Sequence, residues 1–151
     1  MTAEKIEKTG KNRRKSREFA LKGMYQYFIN GGSAEEIACN LAEDPNFARA
    51  DQSYFRALMS GVIARQTELD ERLRTYLDRE IAGLSPIEHA ILCIAGYELA
   101  YEPSVPYRVV INEGVELAKI YGGTDGYKYV NGVLDKLAAE TRNSEVRSTR
   151  K

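Results

Sequence analysis

Apolar positions recur at helical spacing along most of the chain, and no run alternates between hairpin turns as a strand would. Ala20, Leu21, Met24, Tyr25 and Phe28 form an i, i+1, i+4, i+5, i+8 stripe, which predicts a first helix that stops at Gly31-Gly32. Ser33-Ala34-Glu35-Glu36 has the form of a capping box and opens a short helix through Ile37, Cys39 and Leu41. Asp44-Pro45 breaks that helix. Asp51 is placed to cap a longer segment with Tyr54, Phe55, Leu58, Val62, Leu69, Leu73 and Leu77 on one side. Gly61 and Thr67 weaken its middle, and one bent helix or two helices satisfy the pattern equally.

The sharpest helix start is Ser85-Pro86-Ile87-Glu88. Ser at the cap, Pro at the first helical position and Glu at the third satisfy orphan N–H groups and pre-set the backbone. The helix they open carries Ile87, Ala90, Ile91, Leu92, Ile94, Ala95 and Leu99 and is apolar nearly all round, so it is expected to be the most buried element. Pro103 ends it. Pro106 begins another, with Val110, Gly114, Leu117 and Tyr121 in phase, closed by Gly122-Gly123. Thr124 or Asp125 then caps a last helix carrying Val130, Val133, Leu134, Leu137 and Ala138. These elements predict an all-α, single-domain helical bundle of about seven helices over residues 13–142. Residues 1–12 are expected as a disordered basic extension and residues 143–151 as a flexible basic tail.

Charge changes this picture more than composition does. The 151 residues carry 22 cations and 22 acids. Residues 1–17 hold seven cations against two acids, a net +5, and residues 142–151 hold four against one, a net +3. The body between them is therefore −8. Basic ends suit a polyanion and an acidic body suits a basic protein. No run approaches the roughly 18 apolar residues of a membrane span, and no apolar stretch follows the N-terminal lysines as in a secretory leader. Cys39 and Cys93 stand far apart among apolar neighbours, the usage of core cysteines in a reducing compartment. A cytoplasmic protein without membrane association is expected.

Catalytic signals are missing. There is no phosphate-binding Walker loop, no dinucleotide glycine turn and no Cys/His cluster at metal-ligand spacing, so no cofactor or metal is expected. The single histidine, His89, has no evident base or nucleophile near it in sequence and reads as a core or helix-flank residue. A binding role is the expectation.

Two constellations could serve it. The first is the basic run Arg13, Arg14, Lys15 and Arg17, placed against the first core helix. On the first turns of a helix cations oppose the dipole, so an external polyanion would explain them, with arginine suited to bidentate phosphate contact. The second is Tyr121 to Lys136, "YGGTDGYKYVNGVLDK". Its glycines expose N–H groups at a helix start, and Tyr121, Tyr127 and Tyr129 offer rings on which unpaired bases stack, with Lys128 between them. Asp125 reads either as the N-cap of the last helix or as an acceptor for a base amino group.

"VPYRVVINEGVELAKIYGGTDGYKYVNGVLDK", with "RRKSREFALKGMYQY" and "SPIEHAILCIAGYEL", resembles the NusB family of bacterial transcription antitermination factors from about Arg13 to Arg142. The resemblance implies a fold of two three-helix-type subdomains. It also implies non-catalytic binding of the single-stranded boxA element of nascent ribosomal transcripts, jointly with the ribosomal protein that serves as NusE, within the RNA polymerase antitermination complex. By matching positions it implies an RNA surface of Arg13, Arg14, Arg17, Tyr76, Asp125, Lys128 and Tyr129, and a NusE surface that includes Tyr25 and Glu88. The N-terminal extension is longer than the family's short arm, and Gly126-Tyr127 stands where polar residues are common. Two alternatives remain: a module related to ribosomal-RNA cytosine methyltransferases, and a homodimeric protein adaptor.

Overall fold

The computed structural model describes the backbone of residues 3–149 and the side chains of residues 13–149. Among the described residues there are eight α-helices and no strand: α1 (Ala3–Asn30), α2 (Ala34–Leu41), α3 (Gln52–Ala64), α4 (Gln66–Arg74), α5 (Pro86–Tyr101), α6 (Tyr107–Tyr121), α7 (Gly126–Thr141) and α8 (Asn143–Thr149). Short 3-10 turns occupy Pro45–Arg49 and Ile81–Gly83. The chain divides into two compact units, residues 1–64 and 65–151.

In the first unit α1 packs on α3 and α2. Gly23 makes the close approach possible, because a methyl group there would lie 2.8 Å from Met59 Sδ and 3.1 Å from Ile37 Cγ2. The core is built on an aromatic run, Phe19, Phe47 and Phe55, whose neighbouring rings meet edge-on at 5.1 and 5.0 Å. α1 stops where expected: Gly31 and Gly32 take φ of 72° and 103°, which side chains other than hydrogen resist. Ser33 accepts the Glu36 N–H and Asp51 accepts the Tyr54 N–H, so both expected caps are present. Cys39 is exposed rather than a core residue; on a helix of eight residues it falls opposite Ile37, the one buried position.

The second unit is centred on α5, α6 and α7, which pack mutually, with α4 set against α5 and α8 against α7. Ser85 caps α5 as expected, and residues 90–96 of that helix are all buried. The long third segment is two helices. The break falls at Arg65 (φ −113°, ψ 19°), not at Gly61 or Thr67. The expected flexible tail is instead α8 over residues 143–149. Val146 is buried, and Glu145 accepts the Tyr107 N–H at 2.8 Å. For the expected disordered extension, the backbone of residues 3–12 continues α1, and the side chains of residues 1–12 lie outside the described residues.

Candidate nucleic-acid interface

The basic run of the first unit is held from within. Because α1 begins at Ala3, Arg13 stands more than two turns inside the helix, where the dipole no longer acts, and the dipole argument for an external anion does not apply. Asp51 organises this region: its carbonyl accepts from the buried Ser16 Oγ at 2.7 Å, and its Oδ2 lies 3.9 Å from Arg13 Nε. The Arg13 guanidinium sits 4.3 Å above the Tyr54 ring, with that of Arg17 at 5.6 Å. Arg17 is only 5% exposed. Lys15 pairs with Glu18 at 3.1 Å, and Arg14 is exposed. Of the four cations expected to grip phosphate, Arg14 is exposed and Arg17 is largely withdrawn.

The second unit gathers Asp125, Lys128 and Tyr129 around the N-terminus of α7, whereas Tyr76 lies against Glu140 in the last turn of that helix. Tyr129, half-buried on the first turn, receives the Asp78 N–H on its hydroxyl at 3.4 Å, and the Arg79 guanidinium lies 4.3 Å over its ring. Burial pushes the Tyr129 phenol above its ordinary pKa. Arg79 is clamped to Asp78 in a two-point contact at 2.7 and 3.4 Å, which holds that carboxyl below the usual range. Lys119 and Lys128 lie 5.4 and 5.9 Å from the Tyr127 ring. Tyr76, just after α4, donates to Glu140, and that hydrogen bond raises its pKa.

Asp125 occupies the N-cap position of α7 but makes no capping hydrogen bond. Its φ of −115° and ψ of 6° leave the extended region in which a cap side chain turns back. The carboxylate instead faces Lys128 Nζ at 3.4 Å, both groups being mostly exposed. Glu88 closes the capping box with Ser85 and also turns an oxygen toward Gly126, where a methyl group would meet it at 3.1 Å. It therefore lies at the α7 N-terminus, beside the aromatic–basic cluster. Tyr25 is 43% exposed on α1 with Ile29, at 57%, one turn on.

Sequence reasoning missed Arg79, Asp78, Lys119 and Glu140. Arg79 follows the α4 helix in "LDRE", and only its return over Tyr129, fifty residues on, shows its place. It also missed the surroundings of His89. Far from lacking partners, His89 contacts Asp70 and Gln66 of α4, with Cys93 one turn along α5.

The NusB family model matches residues 14–139. A transcription antitermination protein NusB of Methylobacillus flagellatus is 59% identical over 144 residues, spanning 95% of this chain and 94% of that one. The chain belongs to the NusB family. A NusB protein of Thiobacillus denitrificans is 52% identical over 140 residues, covering 93% of this chain and 97% of its own. The fold matches T. maritima NusB with a TM-score of 0.71 at 29% identity, over 85% of this chain and 91% of that one. It also matches a crystal structure of the antitermination factors NusB and NusE in complex with dsRNA, with a TM-score of 0.77 at 24% identity, over 84% of this chain and 96% of that one.

Proposed function

We propose that this protein is a non-catalytic RNA-binding factor of transcription antitermination that acts with the ribosomal protein NusE. The observation that carries this reading is near-full-length likeness to proteins of that name, well above half identity for the M. flagellatus protein. The solved NusB structure that contains NusE and dsRNA supports NusE and RNA as partner classes.

The RNA is single-stranded, of the boxA type. Half-buried rings backed by cations suit unstacked bases, whereas a duplex offers mainly phosphate and groove edges. Arg14, Lys15 and Arg13 supply phosphate contact from the first unit, with Arg17 positioning the helix surface under them. In the second, Tyr129 and Tyr76 offer rings for stacking, Lys128 and Arg79 meet phosphate, and Asp125 accepts from a base amino group. Tyr25 with Ile29, and Glu88, face NusE. The protein is cytoplasmic and works in the RNA polymerase antitermination complex; among the described residues, no helix is long and apolar enough to cross a membrane.

Fluorescence anisotropy at one fixed salt concentration tests the reading. A labelled boxA-type single strand, its scrambled counterpart and a duplex of the same sequence are titrated with the full chain, with and without NusE. The single strand should bind tightest, with NusE raising its affinity. Equal affinity for all three RNAs, or a preference for the duplex, would remove the single-strand reading.

A further inference from the structure

Four side chains of the second unit converge between α4 and α5, away from the tyrosine–basic cluster. Gln66 and Asp70 are one turn apart on α4, and His89 and Cys93 one turn apart on α5, so each helix presents two donors on one face. Asp70 Oδ1 lies 2.7 Å from His89 Nε2 and 3.6 Å from Cys93 Sγ. Gln66 Nε2 lies 3.1 Å from Asp70 Oδ1, 3.3 Å from Cys93 Sγ and 3.5 Å from His89 Nε2. The carboxylate, imidazole and thiol donors all fall within 4.8 Å of one another.

Five of the six edges lie near those of a coordination tetrahedron, and the sixth, between His89 and Cys93, is within 4.8 Å and would close on an ion by up to about 1.2 Å. Zinc bound at about 2.0–2.1 Å from nitrogen or oxygen and about 2.3 Å from sulfur holds its donors about 3.3 Å apart, or about 3.6 Å where one is sulfur. The one short edge is the His89–Asp70 hydrogen bond, which an ion would replace by opening it about half an ångström. A second observation points the same way. Gln66 Oε1 is buried without a hydrogen-bond partner while its Nε2 serves the cluster. A half-turn of the amide exchanges the two atoms and brings the carbonyl oxygen, a metal donor, to the fourth corner. Thiolate and carboxylate together neutralise a divalent ion, and sulfur with imidazole selects zinc over hard cations. Cys93 is fully buried, while His89 and Asp70 retain 14% and 16% side-chain exposure, which leaves an edge through which the ion enters.

We propose that Gln66, Asp70, His89 and Cys93 form a structural zinc site that fastens α4 to α5. On binding, Cys93 releases its thiol proton to solvent, His89 presents the Nε2 lone pair, and Asp70 exchanges its hydrogen bonds for a metal bond. No oxidant or reductant takes part.

The full chain, stripped with a chelator, is titrated with CoCl₂ and then with ZnCl₂. One Co²⁺ should bind per chain with a thiolate charge-transfer band in the near ultraviolet and tetrahedral visible bands, and an equivalent of Zn²⁺ should displace it. Cys39→Ser, which removes the exposed thiol, should behave as wild type. Cys93→Ser should lose the charge-transfer band, and Gln66→Ala should bind Zn²⁺ roughly tenfold or more weakly. Circular dichroism checks that each variant is folded; should Cys93→Ser fail to fold, the Gln66→Ala affinity and the wild-type spectrum decide. Absence of stoichiometric binding overturns the proposal, as does a cobalt band that survives Cys93→Ser or vanishes in Cys39→Ser. Unchanged affinity in Gln66→Ala overturns the four-ligand site.

Discussion

Among the described residues an arginine lies over a tyrosine at 4.2–4.3 Å in three places, and two of them, one in each unit, sit in contrasting surroundings. In the first unit Arg13 lies over Tyr54, a ring 5% exposed and set in the α1–α3 core. In the second unit Arg79 lies over Tyr129, a half-buried ring at a helix start, and Arg79 itself is 44% exposed. The first stack is mortar, and an RNA base cannot reach its ring. The second ring keeps part of its surface open to solvent, where the proposed function places a base. Counting cations and aromatics in a sequence does not separate these cases; the burial of the ring does.

The largest effect should come from breaking the first stack. Tyr54→Ala empties a core position under Arg13 and Arg17 and should cost about 3–5 kcal/mol in urea unfolding. Tyr129→Ala should reverse the pattern. Single-stranded RNA binding should weaken by about 1–3 kcal/mol per lost base stack, while the melting temperature stays close to wild type. If Tyr129→Ala proved as destabilising as Tyr54→Ala, the two stacks would be equivalent after all.

Within the basic run the same contrast sharpens. Arg17→Ala removes a buried stem and should lower stability by about 1–3 kcal/mol. Arg14→Ala should leave stability within about 0.5 kcal/mol of wild type. It should, however, flatten the slope of log K against log salt for single-stranded RNA by about 0.7. The smallest effect is expected at the α7 start. Asp125→Ala should change unfolding by no more than about 0.5 kcal/mol, because its side chain makes no cap bond; a working cap would cost about 0.5–2 kcal/mol. A drop in that larger range would mean that Asp125 turns back onto α7 in solution.

What the sequence revealed was local. The caps at Ser33, Asp51 and Ser85 depend on residues three apart, and the burial of α5 depends on its own composition, so both were legible. The Arg65 break was not, because the glycine and threonine nearby are poorer helix formers yet remain helical. Arg17 looked available because its burial depends on Tyr54 across the α1–α3 contact. His89 looked solitary because Asp70 comes from another helix. Asp125 had a cap's identity and position, and only its backbone angles deny it the bond.

Arg142 closes the second unit across a long sequence interval. Its guanidinium, 9% exposed, donates to the carbonyls of Leu99, Glu98 and Glu102 and pairs with Glu145 at 2.6 Å; it gives Leu99 its partner, while Glu98 and Glu102 also accept the N–H groups of Glu102 and Val105. Leu99 and Arg142 are 43 residues apart. At about 5–20 residues per second of synthesis, roughly 2–9 s pass between the emergence of Leu99 and that of Arg142. The most apolar of the described helices therefore waits for the donor of its Leu99 carbonyl. The first unit, with α1, α2 and α3 all inside residues 1–64, has no such wait. Birth order thus gives α1 its partners α2 and α3 by residue 64, whereas α5 meets α6 and α7 only as the last helices emerge.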